Sequence, residues 1–154
     1  HDYKGRHHAK VPRLDQEILP NLNALSEYVQ EYPNAKHRLK DLLSNIPSNA
    51  DEPLIVLTCN KGQSELLVNF VCSVNARELK LDRVILFATD EDTHKLCQDL
   101  GLPYCYYDTK LFGDIPQDSA KYFGDDTFKR VMKAKVYCVH LILTLGYSIL
   151  FQDV

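Results

Sequence analysis

The chain has no tryptophan, one methionine and only six glycines in 154 residues, and neither sign of charge dominates it. Its 18 Lys and Arg stand against 21 Asp and Glu, a formal net charge of −3. That balance gives no electrostatic basis for binding a phosphate backbone, and no dense Lys/Arg stripe runs along the sequence, so nucleic acid is not an expected partner. No apolar run is long enough to cross a bilayer, which takes about 20 residues. The longest, Val136 to Leu145, is interrupted by His140, and no membrane contact by this segment is expected. The five cysteines, Cys59, Cys72, Cys97, Cys105 and Cys138, form no CxxC pair and lack the close ligand spacing of structural zinc. Three of them stand in apolar runs, where a cysteine acts as a small buried hydrophobe and reports little about redox compartment. The chain starts without Met and carries no targeting segment. It stops at Val154 inside what reads as a strand, which would leave backbone groups unpaired; a fragment missing its C-terminal portion is the expectation.

What is present reads as an ordinary globular composition, with 45% hydrophobic and 25% charged residues, enough for one core. Residues 1–13 are basic, His-rich and without hydrophobic period, a flexible tail whose His1, His7 and His8 lack the partners of a real metal site. Residues 14–50 form an N-terminal helical segment, in which Leu14, Ile18, Leu22, Leu25 and Val29, then Leu39, Leu42 and Leu43, recur at helical spacing. Pro33 is expected to divide it into two helices. A polar loop, most polar over residues 48–53, opens the main domain at 51–154.

In that domain Leu54 to Leu57 is a strand apolar on both sides, followed by the turn at Asn60 to Gln63 and a helix with Leu66, Leu67, Phe70, Val71 and Val74 on one face. Val84 to Ala88 repeats the pattern, ending at Thr89 and Asp90, and a helix from Glu91 to Leu100 closes on Gly101. Pro103 to Tyr107 gives a third, short strand. A long polar loop spans 108–126, a helix runs from about Asp126 to Leu145 and closes on Gly146, and Tyr147 to Phe151 starts a last strand reaching Asp153. Buried strands alternating with amphipathic helices predict an α/β fold, a Rossmann-like, mostly parallel sheet with helices on both faces.

Right-handed crossovers leave every strand's carboxyl end on one edge, where ligands bind in open α/β sheets. Thr58, Cys59, Asn60 and Asp90 fall there. On the last helix Lys135 shares an apolar stripe with Phe128, Val131, Met132, Val139 and Ile142, an expensive place for an ammonium without an anion. From Gly146 back to Lys135 is about 16 Å of helix, and from Tyr147 forward to Asp153 about 20 Å of strand. Helix and strand are antiparallel neighbours, so Lys135 and Asp153 should arrive together at the carboxyl edge. Such a set suits a phosphorylated ligand with a divalent cation. It is equally consistent with Asp90 capping the next helix and Lys135 making an internal ion pair.

The stretch from Phe123 to Asp153 resembles the segment leading into the Asp-x-Asp motif of the nucleotide-diphospho-sugar transferase family, through Phe128, Lys135, Leu145-Gly146-Tyr147 and a strand closing on Asp153. Ala88 with Asp90, and Asn60-Lys61, are similar to the family's upstream strand ends. The resemblance covers roughly residues 54–154 and implies an incomplete type A glycosyltransferase domain. It further implies a nucleotide-sugar donor, a glycan or glycoprotein acceptor, Mn²⁺ or another divalent metal, and residence in the Golgi lumen behind a membrane anchor elsewhere in the full-length protein. Carried over, Thr58, Cys59 and Asn60 line the nucleoside pocket, Asp90 contacts the nucleoside, Lys135 faces the donor, and Asp153 is the first metal carboxylate. The second Asp of the motif is not in the chain, so metal binding is expected only with the complete motif and no turnover is expected of this piece alone. The alternative is a non-catalytic α/β nucleotide-binding or interaction module.

Other residues are read as structural. Tyr104, Tyr106 and Tyr107 pack, as aromatics in short strands do. Asp114, Asp118, Asp125 and Asp126 lack calcium-loop spacing and serve as solvated acids and a helix cap. Ser64 sits on no nucleophile elbow, and His140 is packed or exposed rather than catalytic.

Overall fold

A computed structural model describes residues 18–46, 52–113 and 115–153. The tail at 1–13, Leu14, most of the 48–53 loop, Asp114 and Val154 lie outside the described residues. The elements run α1 (Leu19–Leu43), β1 (Leu54–Cys59), α2 (Ser64–Ala76), β2 (Val84–Ala88), α3 (Glu91–Asp99), β3 (Tyr104–Tyr107), α4 (Thr109–Phe112), α5 (Asp126–Thr144) and β4 (Ile149–Phe151). The four strands form one sheet in the order β3-β2-β1-β4. All pairings are parallel, with Leu57 opposite Leu86, Val56 opposite Phe151 and Phe87 opposite Tyr106.

Strand alternation divides the interior in two. Leu54, Val56, Ile85, Phe87, Tyr104 and Tyr106 face α1 and α5. Leu57, Cys59, Val84 and Leu86 face the other way, against Leu67 and Val71 of α2 and Cys97 of α3. The continuous apolar runs of β1 and β2 follow from this, because both faces are covered. The fold is the expected α/β one, with a parallel sheet and helices on both sides.

The expected break at Pro33 is absent: α1 continues through it for 25 residues. An interior proline costs about 3 kcal/mol. Here Tyr28, Ala35, Leu39 and Leu43 are buried along one face on both sides of it, and two buried leucines alone return about 3–6 kcal/mol. The buried face also differs from the expected one. Leu22, Leu25 and Val29 are at least half exposed, whereas Leu39 and Leu43 of the expected stripe are buried together with Tyr28, which packs on Tyr137 of α5, and Ala35. In α5 the buried stripe is Val131, Ala134, Cys138, Leu141 and Ile142, so only Val131 and Ile142 of the predicted stripe are in it.

The loop expected over 108–126 contains α4, whose first amides are held by Asp108. Asp108 also bonds Tyr106 and pairs with Arg38 of α1, which in turn holds Glu31 at 2.8 Å. This network fastens α1 across the end of β3. Asp125 caps α5 through the Phe128 amide, as the acid-rich stretch suggests, and Gly146 closes that helix at φ +89°. Cys97 and Cys105 form a disulfide between α3 and β3. Cys59 and Cys138 are buried free thiols and Cys72 is exposed. Tyr104 and Tyr106 are in the core, and His140 accepts or donates a bond at the Tyr28 hydroxyl, a packing role.

Candidate functional site

The carboxyl ends of β2, β1 and β4 follow one another along the sheet edge, which sets Asp90, Asn60 and Asp153 in that spatial order. At the first of these ends Asp90 is 6% exposed and works as the cap of α3. Its Oδ1 accepts the Thr93 amide at 2.8 Å, and its Oδ2 accepts the Thr93 hydroxyl at 3.0 Å and the Lys61 amide at 2.8 Å. One carboxylate thus ties the α3 terminus to the turn after β1.

That turn is strapped down by residues far along the chain. Asn60, 1% exposed, donates from Nδ2 to the carbonyls of Pro116 (3.0 Å) and Asp118 (3.1 Å). The Gly62 amide donates to Gln117 at 2.7 Å, and the Ser119 hydroxyl donates to the Gly62 carbonyl at 2.6 Å. A Cβ on Gly62 would lie 2.2 Å from the Ser119 nitrogen, so only glycine permits this approach. The Oδ1 of Asn60 is buried without a hydrogen-bond partner, a deficit of the order of 1–3 kcal/mol.

At the β4 end the predicted convergence occurs. Lys135 of α5 forms an ion pair with Asp153, its side chain 12% exposed against 73% for Asp153. The Phe151 ring lies 6.0 Å below the Lys135 ammonium. Lys135 is near enough to β1 for its charge to act on Cys59, whose thiol is nevertheless pushed up to about 12, by burial first and then by Asp90. Cys59 packs in the α2–α3 core and its thiol donates to the Asn60 carbonyl. Thr58 is buried on the opposite side beside Cys138.

The edge therefore brings Asn60 and Asp90 together around the Lys61 turn, and Lys135 and Asp153 together at β4, while the Thr58 and Cys59 side chains point into the two cores. Both arrangements left open by the sequence, an Asp90 helix cap and an internal Lys135–Asp153 pair, are present. Among the described residues no group of three or more His, Cys, Asp and Glu side chains could hold a metal ion. Asp153 is one carboxylate, already paired, and does not make a cation site by itself.

Residues 79–154 match the nucleotide-diphospho-sugar transferase family. This segment belongs to that family. Over 116 residues, 74% of its length, the chain is 34% identical to a protein of Arabidopsis thaliana described as beta-arabinofuranosyltransferase RAY1. The chain spans about a fifth of that relative's length, 21%. No solved structure matches it significantly. The transferase match takes in β2, β3, α5 and β4, and with them Asp90, Lys135 and Asp153, whereas Asn60 and the turn it anchors precede it.

Sequence reasoning missed the strap at 116–119 and the Arg38–Asp108 tie. The strap had one signal, the glycine in Lys61-Gly62-Gln63 directly after a strand, since a glycine there often marks close backbone approach.

Proposed function

We propose that this chain is the donor-binding part of a glycosyltransferase, holding a nucleotide-diphospho-sugar along the carboxyl edge for transfer of the sugar to a glycan or glycoprotein acceptor. Strands β1 to β4 supply the sheet and its edge, and α1 covers one face. The observation that carries this reading is the Lys135–Asp153 pair at the end of β4, inside the stretch that matches the transferase family. A poorly solvated ammonium beside a mostly exposed carboxylate can exchange that carboxylate for a diphosphate oxygen. It thereby stabilises the negative charge of a departing nucleoside diphosphate. The partnerless Oδ1 of Asn60 supports the same reading, since it can accept a donor from a nucleoside if the 116–119 strap shifts. Mn²⁺ or another divalent cation enters through Asp153 only with further ligands that the described residues do not gather.

Residence in the Golgi lumen, with membrane attachment in the full-length protein, is part of the proposal. The Cys97–Cys105 disulfide supports it, because such bonds persist in oxidising compartments. Among the described residues no helix is long and apolar enough to cross a membrane.

A second reading, a non-catalytic α/β nucleotide-binding or interaction module, is favoured by the engagement of both carboxylates in internal bonds. Calorimetric titration with uridine diphosphate, with and without Mn²⁺, separates the two. Binding that Mn²⁺ strengthens and that Asp153→Asn weakens supports the donor site. Binding indifferent to both, or none at all, supports the module.

A further inference from the structure

A sizeable cleft among the described residues lies away from the β1 and β4 strand ends. It opens between the first turns of α1, the short α4 and the first half of α5, with a volume of about 870 Å³. Lys110, Lys129, Arg130 and Lys133 line it, against two carboxylates, Glu27 and Asp126. A chain whose net charge is −3 thus gathers a local positive excess in one concavity. The arrangement has a cost: Lys129 and Lys133 stand at i and i+4 on one helix, where like charges destabilise, and Lys110 faces them from α4. None of these three lysines is within ion-pair distance of a described carboxylate. Three lysines without a described carboxylate partner, converging on one cleft, focus the potential there and raise the local concentration of anions.

We propose that this cleft binds a polyanionic carbohydrate chain. The charges select the anion. The lining favours carbohydrate over an acidic peptide: it includes Tyr137, whose ring stacks on Tyr28 at 4.0 Å and whose hydroxyl donates to the Ala24 carbonyl, and the amide side chain of Asn23. An aromatic ring beside amides suits sugar rings and hydroxyls, and the described lining includes no strand residue to take up a peptide backbone as an added strand. Lys133 and Lys135 are two residues apart on α5, about 3 Å along its axis. A chain lying in the cleft therefore passes at the same level of the helix as the proposed donor site, on its other side. Naming a glycan rests on the glycosyltransferase reading, as the anionic part of its acceptor.

Affinity electrophoresis of the full chain, without nucleotide or metal, tests this independently of the donor site. Gels contain polygalacturonate, dextran sulfate, neutral dextran or polyglutamate. Retardation by polygalacturonate identifies a carboxylated glycan, and retardation by dextran sulfate alone a sulfated one; both support the proposal. The double substitution Lys129→Ala with Lys133→Ala should weaken that retardation about five- to tenfold, the scale of two exposed ion pairs. The exposed pair Lys80→Ala with Lys95→Ala, which removes the same charge elsewhere, should change it less than twofold. Equal loss in the two double variants would reduce the effect to net charge. Equal retardation by polyglutamate would reassign the cleft to acidic peptides, and retardation by neutral dextran, or by nothing, would overturn it.

Discussion

The two ends of the candidate edge are built on opposite principles. At β2 and β1 the polar groups are buried and, the Asn60 Oδ1 apart, committed: Asp90 accepts three hydrogen bonds at 6% exposure, and Asn60 donates two at 1%. At β4 the Asp153 carboxylate has one described partner, Lys135, and its side chain is 73% exposed. A buried carboxylate with all its bonds made is expensive to rearrange, because any ligand must replace every bond it breaks. An exposed carboxylate with one partner can be exchanged at little cost. The first end therefore sets the shape of the edge, and the second is where its chemistry can change hands.

The largest effect expected from breaking this contrast is at Asp90. Asp90→Ala removes the α3 cap, worth about 0.5–2 kcal/mol, and leaves the Lys61 amide without its acceptor, worth a further 1–3 kcal/mol. The sum is about 3 kcal/mol, a fall in Tm of roughly 6–12 °C for a chain of this size. A thermal melt within 2 °C of the parent would show that the committed end is not structural. Next is the strap. Gly62→Ala puts a methyl group 2.2 Å from the Ser119 nitrogen, which forces either the turn or residues 116–119 to move. The penalty should be about 2 kcal/mol, on the scale of overpacking, seen as a lower urea midpoint with an unchanged slope. A neutral substitution would mean that the strap lifts freely, and the two ends would then be alike.

How much of this was legible in the sequence follows the range of the interactions. Strands β1 and β2 are continuous apolar runs, readable because both sheet faces are covered. The meeting of Lys135 and Asp153 follows from rise per residue along one helix and one neighbouring strand, a local calculation that needs only the turn at Gly146. A helix cap among Asp114, Asp118, Asp125 and Asp126 was legible locally as well, though not that Asp125 supplies it. What failed was decided at a distance. Pro33 breaks a helix by local rules, but burial of Leu39 and Leu43 against the sheet outweighs it. The strap joins residues more than fifty positions apart through backbone carbonyls, and carbonyls carry no side-chain signature. The same holds for the disulfide, since nothing in the spacing of five cysteines chooses the Cys97–Cys105 pair. Within the cleft, the spacing of Lys129 and Lys133 is visible in the sequence, but Lys110 joins them only through packing of α4 beside α5.

The smallest stability effect, and the sharpest test of the contrast, lies at β4. Asp153→Asn leaves Lys135 a poorly exposed cation without its anion, so it should cost about 1 kcal/mol; the penalty stays small because a lysine stem can redirect its ammonium to water. Lys135→Met should cost less, since Asp153 is already mostly solvated and a methionine can rest on the Phe151 ring. The double variant should then match Lys135→Met alone, and the difference between the cycle's arms gives the coupling of the pair. Uridine diphosphate titrations of the same three variants add the functional half. If Lys135 faces the donor, its removal weakens binding with or without Asp153, whereas a purely internal pair leaves binding unchanged in all three. Additive stability effects would mean that the two side chains do not depend on each other, and the exchange of Asp153 for a phosphate would have no basis.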